Sequence, residues 1–226
     1  MSFFITGTDT GVGKTLVCCA LLHAFAAQGK RVAGFKPVAA GCDDDDHNDD
    51  AVALRAASSM QLAYGQVNPY CFPLTIAPHL AARHVGVRIE MRRIITSYEE
   101  LDAQSDEVIV EGAGGLLVPL NEDRTFADLA RELDIPVILV VGMRLGCINH
   151  ALLTLEALAG HQIECAGWVA NVLDDGMPVL QENIDALRER IEAPLLGVVP
   201  HMAQADATQA AQHLDLTLLE REPAHG

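Results

Sequence analysis

The segment Gly7-Thr8-Asp9-Thr10-Gly11-Val12-Gly13-Lys14-Thr15 constrains this chain more than any other stretch. It follows a short apolar run, Phe3-Phe4-Ile5, that reads as a strand, and it precedes Leu16–Gln28, which carries Leu, Val and Ala at helical spacing. Strand, glycine-rich turn, Gly-Lys-Thr and helix is the layout of a phosphate cradle. Glycines let the backbone bend until successive N–H groups point at phosphate oxygens. The new helix adds the positive end of its dipole. In such a cradle Gly11, Val12, Gly13 and Leu16 belong to the loop and first helical turn. Lys14 reaches the β- and γ-phosphates, and the Thr15 hydroxyl serves Mg²⁺.

The loop departs from G-x-x-x-x-G-K-[ST] in having Thr8 where that pattern has glycine. Its spacing resembles the variant loop of partition-type ATPases. Many of those carry a lysine two residues before the middle glycine, and here that place is Asp9. A glycine-rich strand-to-helix turn without a ligand is the plain alternative, which Gly-Val-Gly-Lys-Thr at this junction disfavours.

Apolar runs alternate with helical patterns along the rest of the chain. Strands are expected at Ser2–Thr6, Arg31–Lys36, Glu107–Glu111, Pro136–Gly142, Ala166–Val172 and Leu195–Val199. Helices are expected at Thr15–Gln28, Asp50–Ser59, Phe126–Leu133, Asn149–Ala159 and Pro178–Ile191, with Gly29 and Gly160 as stops. Several strands are near-continuous Val, Ile and Leu, as when helices cover both faces of a parallel sheet. The fold class expected is therefore α/β, an open and mainly parallel sheet with helices on both faces, P-loop NTPase-like. Residues 1–226 are expected to form one domain, long but normal for this architecture. Gln61–Arg88, with Gly65, Pro69, Pro73 and Pro78, reads as a loop insertion near the site.

Composition narrows the partners. The formal charge of −16 opposes binding to nucleic acid or to acidic membranes, so an anionic substrate needs local positive groups. Lys14, Lys36 and helix N-termini are the candidates. No apolar run approaches the ~20 residues that span a bilayer. The chain enters its first strand without a basic leader, so a cytoplasmic location is expected. The six cysteines show no CxxC spacing and read as buried or free thiols.

Three further stretches carry chemistry. Lys36 ends a strand in Phe35-Lys36-Pro37-Val38, where it can hold developing negative charge or lie solvated at the surface. The run Asp43–Asp46, followed by His47-Asn48-Asp49-Asp50, is ordinarily a solvated loop. One Asp could reach Mg²⁺, or Asp49 or Asp50 could cap the helix that follows, and chemistry alone does not choose among the six. Val108-Ile109-Val110-Glu111-Gly112-Ala113-Gly114-Gly115 is a hydrophobic strand ending in a carboxylate, the form that orients Mg²⁺ beside a phosphate loop.

Together these motifs resemble the dethiobiotin synthetase family. Thr6–Thr15, Lys36-Pro37-Val38, Val110–Gly115, Leu145-Gly146-Cys147-Ile148-Asn149-His150 and Gly167-Trp168-Val169-Ala170-Asn171 carry the resemblance, in the same order. The resemblance implies closure of a cyclic urea from 7,8-diaminopelargonate, CO₂ (as bicarbonate in solution) and MgATP. It implies that Lys14 contacts ATP and the transferring group, and that Lys36 stabilises the carbamate. Thr10 and Ala40 would lie by the reacting groups. Thr15, Asp50 and Glu111 would hold Mg²⁺. Glu111, Gly112, Ala113 and Gly114 would flank the nucleotide. Asn171 would hydrogen-bond adenine, and Pro200, His201 and Met202 would line the same pocket. Gly146, Cys147 and Asn149 would bind the substrate's tail carboxylate across a homodimer interface. Ala40 stands where the family often has a serine. The rivals are a partition-type ATPase, a cobyrinate-type amidase, for whose ammonia-producing domain the chain has no room, and a non-catalytic nucleotide binder.

Overall fold

The computed structural model describes residues 2–219, so the expected 1–226 domain runs past the described residues at both ends. Its strands are β1 (Phe3–Gly7), β2 (Val32–Phe35), β3 (Val38–Ala40), β4 (Tyr70–Phe72), β5 (Glu107–Gly115), β6 (Val137–Met143), β7 (Cys165–Val172) and β8 (Leu195–Val199). Its helices are α1 (Lys14–Ala27), α2 (Asp49–Ala57), α3 (Tyr64–Val67), α4 (Pro78–His84), α5 (Met91–Asp102), α6 (Phe126–Leu133), α7 (Cys147–Gly160), α8 (Leu180–Arg188) and α9 (Ala207–Ala211).

Six strands pair in parallel in the order β2-β5-β1-β6-β7-β8. The period of two along a strand decides what covers each face. Phe3 and Ile5 of β1 pack with Val17, Leu21, Leu54 and Ala210 from α1, α2 and α9. Phe4, between them, packs with Ala81, Ile94 and Phe126 from α4, α5 and α6 on the opposite face. Farther along that face, Leu139, Val141 and Trp168 meet Ala151, Ile184 and Leu187 of α7 and α8. Each fully buried side chain of this size stabilises the fold by about 1.5–3 kcal/mol. The α/β class, with helices on both faces, is thus the observed one.

The chain passes from β1 to β2 on one side and returns through β5, then continues to β6 on the other side. That reversal places a crevice at the carboxyl ends of β5, β1 and β6, where ligands of open α/β sheets bind.

Several expectations need correction. Gln61–Arg88 is not a bare loop but holds α3, β4 and α4. Pro78 opens α4 at a position where its missing N–H costs nothing. β4 pairs with β3 as a second, two-stranded parallel sheet. α5 went unforeseen, although Ile94, Tyr98 and Leu101 form its buried stripe at helical spacing. β5 continues past Glu111 to Gly115, and α7 starts at Cys147 rather than Asn149. Gly29 takes the left-handed turn that ends α1. Gly160 does not, and Gln162 adopts the positive φ after α7. The thiols are not all free: Cys42 and Cys71 form a disulfide, while Cys18, Cys19, Cys147 and Cys165 are unbonded. The β3–β4 pairing brings those two residues to a Cα–Cα distance of 6.0 Å, which a 29-residue separation in sequence did not reveal.

Candidate active site

The phosphate loop is held open by its own residues. Gly11 and Gly13 take φ of 72° and 87°, a conformation other residues seldom adopt. Val12 is fully buried and wedges between Gly7 and Gly142, where added Cβ atoms would approach it at 2.6 and 2.7 Å. Val12 thus pins the loop to the sheet through its side chain. The Asn171 amide, at the end of β7, donates to the Val12 carbonyl at 2.8 Å, and a Cβ at Gly13 would collide with it. Thr8 N–H donates to the Val140 carbonyl at 3.0 Å. Lys14 folds back to donate to the Asp9 carbonyl at 2.9 Å. Burial pulls the Lys14 pKa down, and the Glu111 charge opposes that.

Behind the loop lies a compact set of charges. Lys36 Nζ stands 2.6 Å from Glu111 Oε1 and 3.0 Å from Asp50 Oδ2. The Thr15 hydroxyl lies 2.7 Å from Asp50 Oδ1 and 2.9 Å from Glu111 Oε1. Lys36 and Glu111 are buried. Burial lowers the Lys36 pKa, but the two carboxylates outweigh it and leave the ammonium held well above its ordinary range. Burial likewise pushes Glu111 up, against the pull of Lys36. Asp50, less buried, is also penalised by burial, yet Lys36 and the Thr15 hydroxyl keep it below the usual carboxylate range.

Local sequence explains the placement. Asn48 caps α2, its side-chain oxygen accepting from Asp50 N–H and Ala51 N–H. The cap is therefore Asn48 and neither Asp49 nor Asp50, which frees the Asp50 carboxylate to face Lys36. Asp43–Asp46 stay exposed as a turn closed by Asp43, whose side chain accepts from Asp45 N–H and His47 N–H.

A cleft of about 620 Å³ opens over this set. Of the candidate residues, Thr10, Gly11, Gly13, Lys14, Thr15, Lys36, Ala40, Asp50, Glu111, Ala113 and Gly114 line it. Pro78, from the stretch expected as an insertion near the site, lines it too, and Ala39, Asn48, Thr75, Ile76, Ala77 and Val118 line it without having been candidates. The Asn-Asp-Asp order before an apolar helix was the available signal for Asn48; for Thr75–Pro78 the prolines marked only an insertion near the site.

The remaining candidates sit elsewhere. Leu16 faces the core, and Gly112 packs on the Phe4 ring. Asn171 lies behind the phosphate loop. Pro200, His201 and Met202 follow β8, with Met202 against the core and His201 Nδ1 at 3.2 Å from Asp175 Oδ2. Gly146, Cys147 and Asn149 stand at the start of α7, outside the cleft lining of the same chain. Arg144, unremarked in sequence, forms an ion pair with Asp9.

Thr15, Asp50 and Glu111 offer only oxygen donors, which suits a hard divalent cation. Among the described residues no cluster of three or more His, Cys, Asp or Glu side chains could hold a metal by itself. Two carboxylates and a hydroxyl fit Mg²⁺ completed by water and phosphate oxygens. Glu111 Oε2 is buried without a hydrogen-bond partner.

A family model described as "AAA domain" matches residues 1–209. The chain is 55% identical to the ATP-dependent dethiobiotin synthetase BioD of Aromatoleum aromaticum, over 95% of this chain and 97% of that one. It is 52% identical to the protein of the same name from Cellvibrio japonicus, over 96% and 97% of the two chains. The chain belongs to the ATP-dependent dethiobiotin synthetase family. Its fold also resembles MinD of the MinC:MinD cell division complex of Aquifex aeolicus, with TM-score 0.56 and 16% identity over 93% of this chain and 86% of that one. At that identity the likeness concerns the fold alone. Membership in the dethiobiotin synthetase family makes the chain an ATP-dependent ligase of biotin biosynthesis with small-molecule substrates. No helix among the described residues is long and apolar enough to cross a membrane.

Proposed function

We propose that this chain, as one synthetase domain over residues 1–226, converts 7,8-diaminopelargonate, CO₂ and ATP into dethiobiotin, ADP and phosphate. One amine of the substrate adds to CO₂ and loses a proton, giving a carbamate. Delocalised charge makes the carbamate a poor electrophile. The γ-phosphoryl passes to a carbamate oxygen as ADP leaves, forming a mixed anhydride. The second amine attacks the activated carbon, expels phosphate, loses a proton and closes the five-membered ring.

The observation that carries this reading is the convergence of Lys14, Lys36, Thr15, Asp50 and Glu111 on one cleft. Lys14 follows the γ-phosphoryl, and Lys36 steadies the carbamate oxygens. Thr10 holds the reacting groups near the loop. Thr15, Asp50 and Glu111 hold Mg²⁺, which offsets phosphate charge during transfer. Proximity of the second amine supplies much of the closure rate. Gly11, Gly13 and the backbone from Gly112 to Gly114 approach the nucleotide. Asn171 reads adenine, with Pro200, His201 and Met202 completing that pocket. Gly146, Cys147 and Asn149 meet the substrate's tail carboxylate from a second copy of the chain. Leu145, 99% exposed, and Leu153, 60% exposed, are large apolar groups at that helix and support a homodimer. No role for nucleic acid or membrane is proposed, and a cytoplasmic enzyme accords with the reaction.

The decisive experiment supplies purified protein with diaminopelargonate, bicarbonate and MgATP and follows products by mass spectrometry. Dethiobiotin and ADP in equal amounts are expected; an uncyclised diamine overturns the assignment. Asn149→Ala should raise the KM for the diamine more than that for ATP, and equal effects would remove Asn149 from tail binding.

A further inference from the structure

Lys36 is paired with both carboxylates proposed as metal ligands. Its ammonium sits 2.6 Å from Glu111 Oε1 and 3.0 Å from Asp50 Oδ2. The same Oε1 lies 2.9 Å from the Thr15 hydroxyl. Glu111 Oε2 is sealed from solvent, which leaves Oε1 as the oxygen an incoming cation meets. That oxygen already faces both Thr15 and Lys36. A lysine in this position cannot at once steady a carbamate, because its charge is spent on protein carboxylates.

We propose that Lys36 is a tethered stand-in for the divalent cation: it holds Glu111 and Asp50 together until the cation takes them, and cation entry releases its ammonium toward the substrate side of the cleft. The inference rests on the metal reading above, in which Thr15, Asp50 and Glu111 are the ligands.

Charge and backbone geometry both support the exchange. Lys36 pairs with Glu111 and Asp50, and Lys14 lines the same cleft, so two basic side chains already face the two acidic ones. A divalent cation added beside an unmoved Lys36 would place three positive charges on two carboxylates at contact range. At contact range that repulsion is strong even where solvent partly screens it. Movement is confined to the side chain. Lys36 N–H donates to the Val67 carbonyl at 2.8 Å, and its carbonyl accepts from Asn68 Nδ2 at 2.6 Å. With the main chain clamped on both sides, rotation of the four-carbon stem carries the ammonium from the carboxylates into the cleft that Lys36 also lines. Metal loading and arming of the charge-stabilising lysine then become one event, and an enzyme without its cation keeps that lysine withheld.

Two measurements on nucleotide-free protein test this. First, Mn²⁺ is titrated and its free signal followed by electron paramagnetic resonance. Lys36→Met should bind Mn²⁺ about tenfold tighter than the unaltered protein, the equivalent of one weakened competitor. Equal or weaker binding overturns the exchange. Second, the unaltered protein is acetylated with a succinimidyl ester and mapped by mass spectrometry, which remains decisive if Lys36→Met does not fold. The chain has three lysines, Lys14, Lys30 and Lys36, and Lys30, paired with Glu107, serves as reference. Mn²⁺ should speed acetylation of Lys36 several-fold relative to Lys30; an unchanged ratio overturns the proposal. Absence of any Mn²⁺ binding by either protein overturns the ligand set and the exchange together, which separates that failure from binding without exchange.

Discussion

The two walls of the cleft are built on different principles. One belongs to the six-stranded sheet and its first helices, and it carries every charge that lines the cleft: Lys14, Lys36, Asp50 and Glu111. The other belongs to the small β3–β4 sheet and the turn before α4, and it offers Ala39, Ala40, Thr75, Ile76, Ala77 and Pro78. Buried charges cost several kcal/mol apiece unless every partner is fixed, so they sit where parallel strands hold the backbone on both sides. Shape and exclusion of water ask less of the scaffold. Two short strands, a proline-bounded turn and the Cys42–Cys71 bridge suffice. Charge and shape are thus separable here, so substitutions on the two walls should fail in different ways.

The charged wall should show the largest effects. Lys14→Ala is expected to lower dethiobiotin formation by about a thousandfold or more, since a preorganised cation on the transferring group is lost. Its fold should survive, because the Lys14 ammonium makes one side-chain hydrogen bond, to a carbonyl, and Lys36 still pairs with Glu111 and Asp50. Lys36→Ala should remove turnover and stability together. It leaves Glu111 buried without its cation, a change worth about 3–5 kcal/mol of unfolding free energy. Chemical denaturation of both variants beside product assays checks the split, and equal stability in the two would erase the distinction between them.

The shape wall should answer to reduction instead. The bridge closes a loop across a sequence separation of 29 residues. A loop of that order is worth about 3.5 kcal/mol. Cys71→Ser should therefore lower the melting temperature and raise the KM for the diamine, with the KM for ATP within about twofold of its starting value. Thiols behind the charged wall should behave oppositely. Burial pushes Cys19 up to about 12. The folded state keeps that proton, so its contribution is complete below the ordinary thiol range near 8.5 and is lost as pH rises toward the folded value. Alkylation of Cys19 in native protein at pH 8 would contradict this.

How much of this was legible in the chain differs by wall in the same way. The six main strands, the phosphate loop, Lys36 and Glu111 stood out because a parallel sheet demands continuous apolar runs and its ligands fall at strand ends. Asp50 was recoverable only through family resemblance, since six aspartates share its chemistry and only the Asn48 cap turns one of them inward. The second wall was nearly silent. A three-residue strand such as Tyr70–Phe72 has no period to detect, and its partner lies about thirty positions away. α5 was missed for another reason. Its stripe of Ile94, Tyr98 and Leu101 is regular, but polar residues surround it and lower its average hydrophobicity.

The smallest effect expected lies where the phosphate loop meets the turn before α7. Asp9 is a junction there: one carboxylate oxygen accepts from Thr10 N–H at 2.7 Å, the other pairs with Arg144, and its carbonyl receives Lys14. Arg144 in turn offers its carbonyl to Cys147 N–H at 3.0 Å, at the start of α7. The pair therefore ties the charged wall to the helix proposed to serve a second copy. Both side chains are nearly half exposed, so solvent screens them, and Arg144→Ala should cost about 0–1 kcal/mol of stability. Kinetics should be more sensitive than stability. If the tie aligns loop and helix, the variant should raise the KM for ATP and for the diamine together, and added salt should bring the unaltered protein toward it. A rise in the ATP KM alone would confine Asp9 and Arg144 to the phosphate loop and leave the helix independent of it.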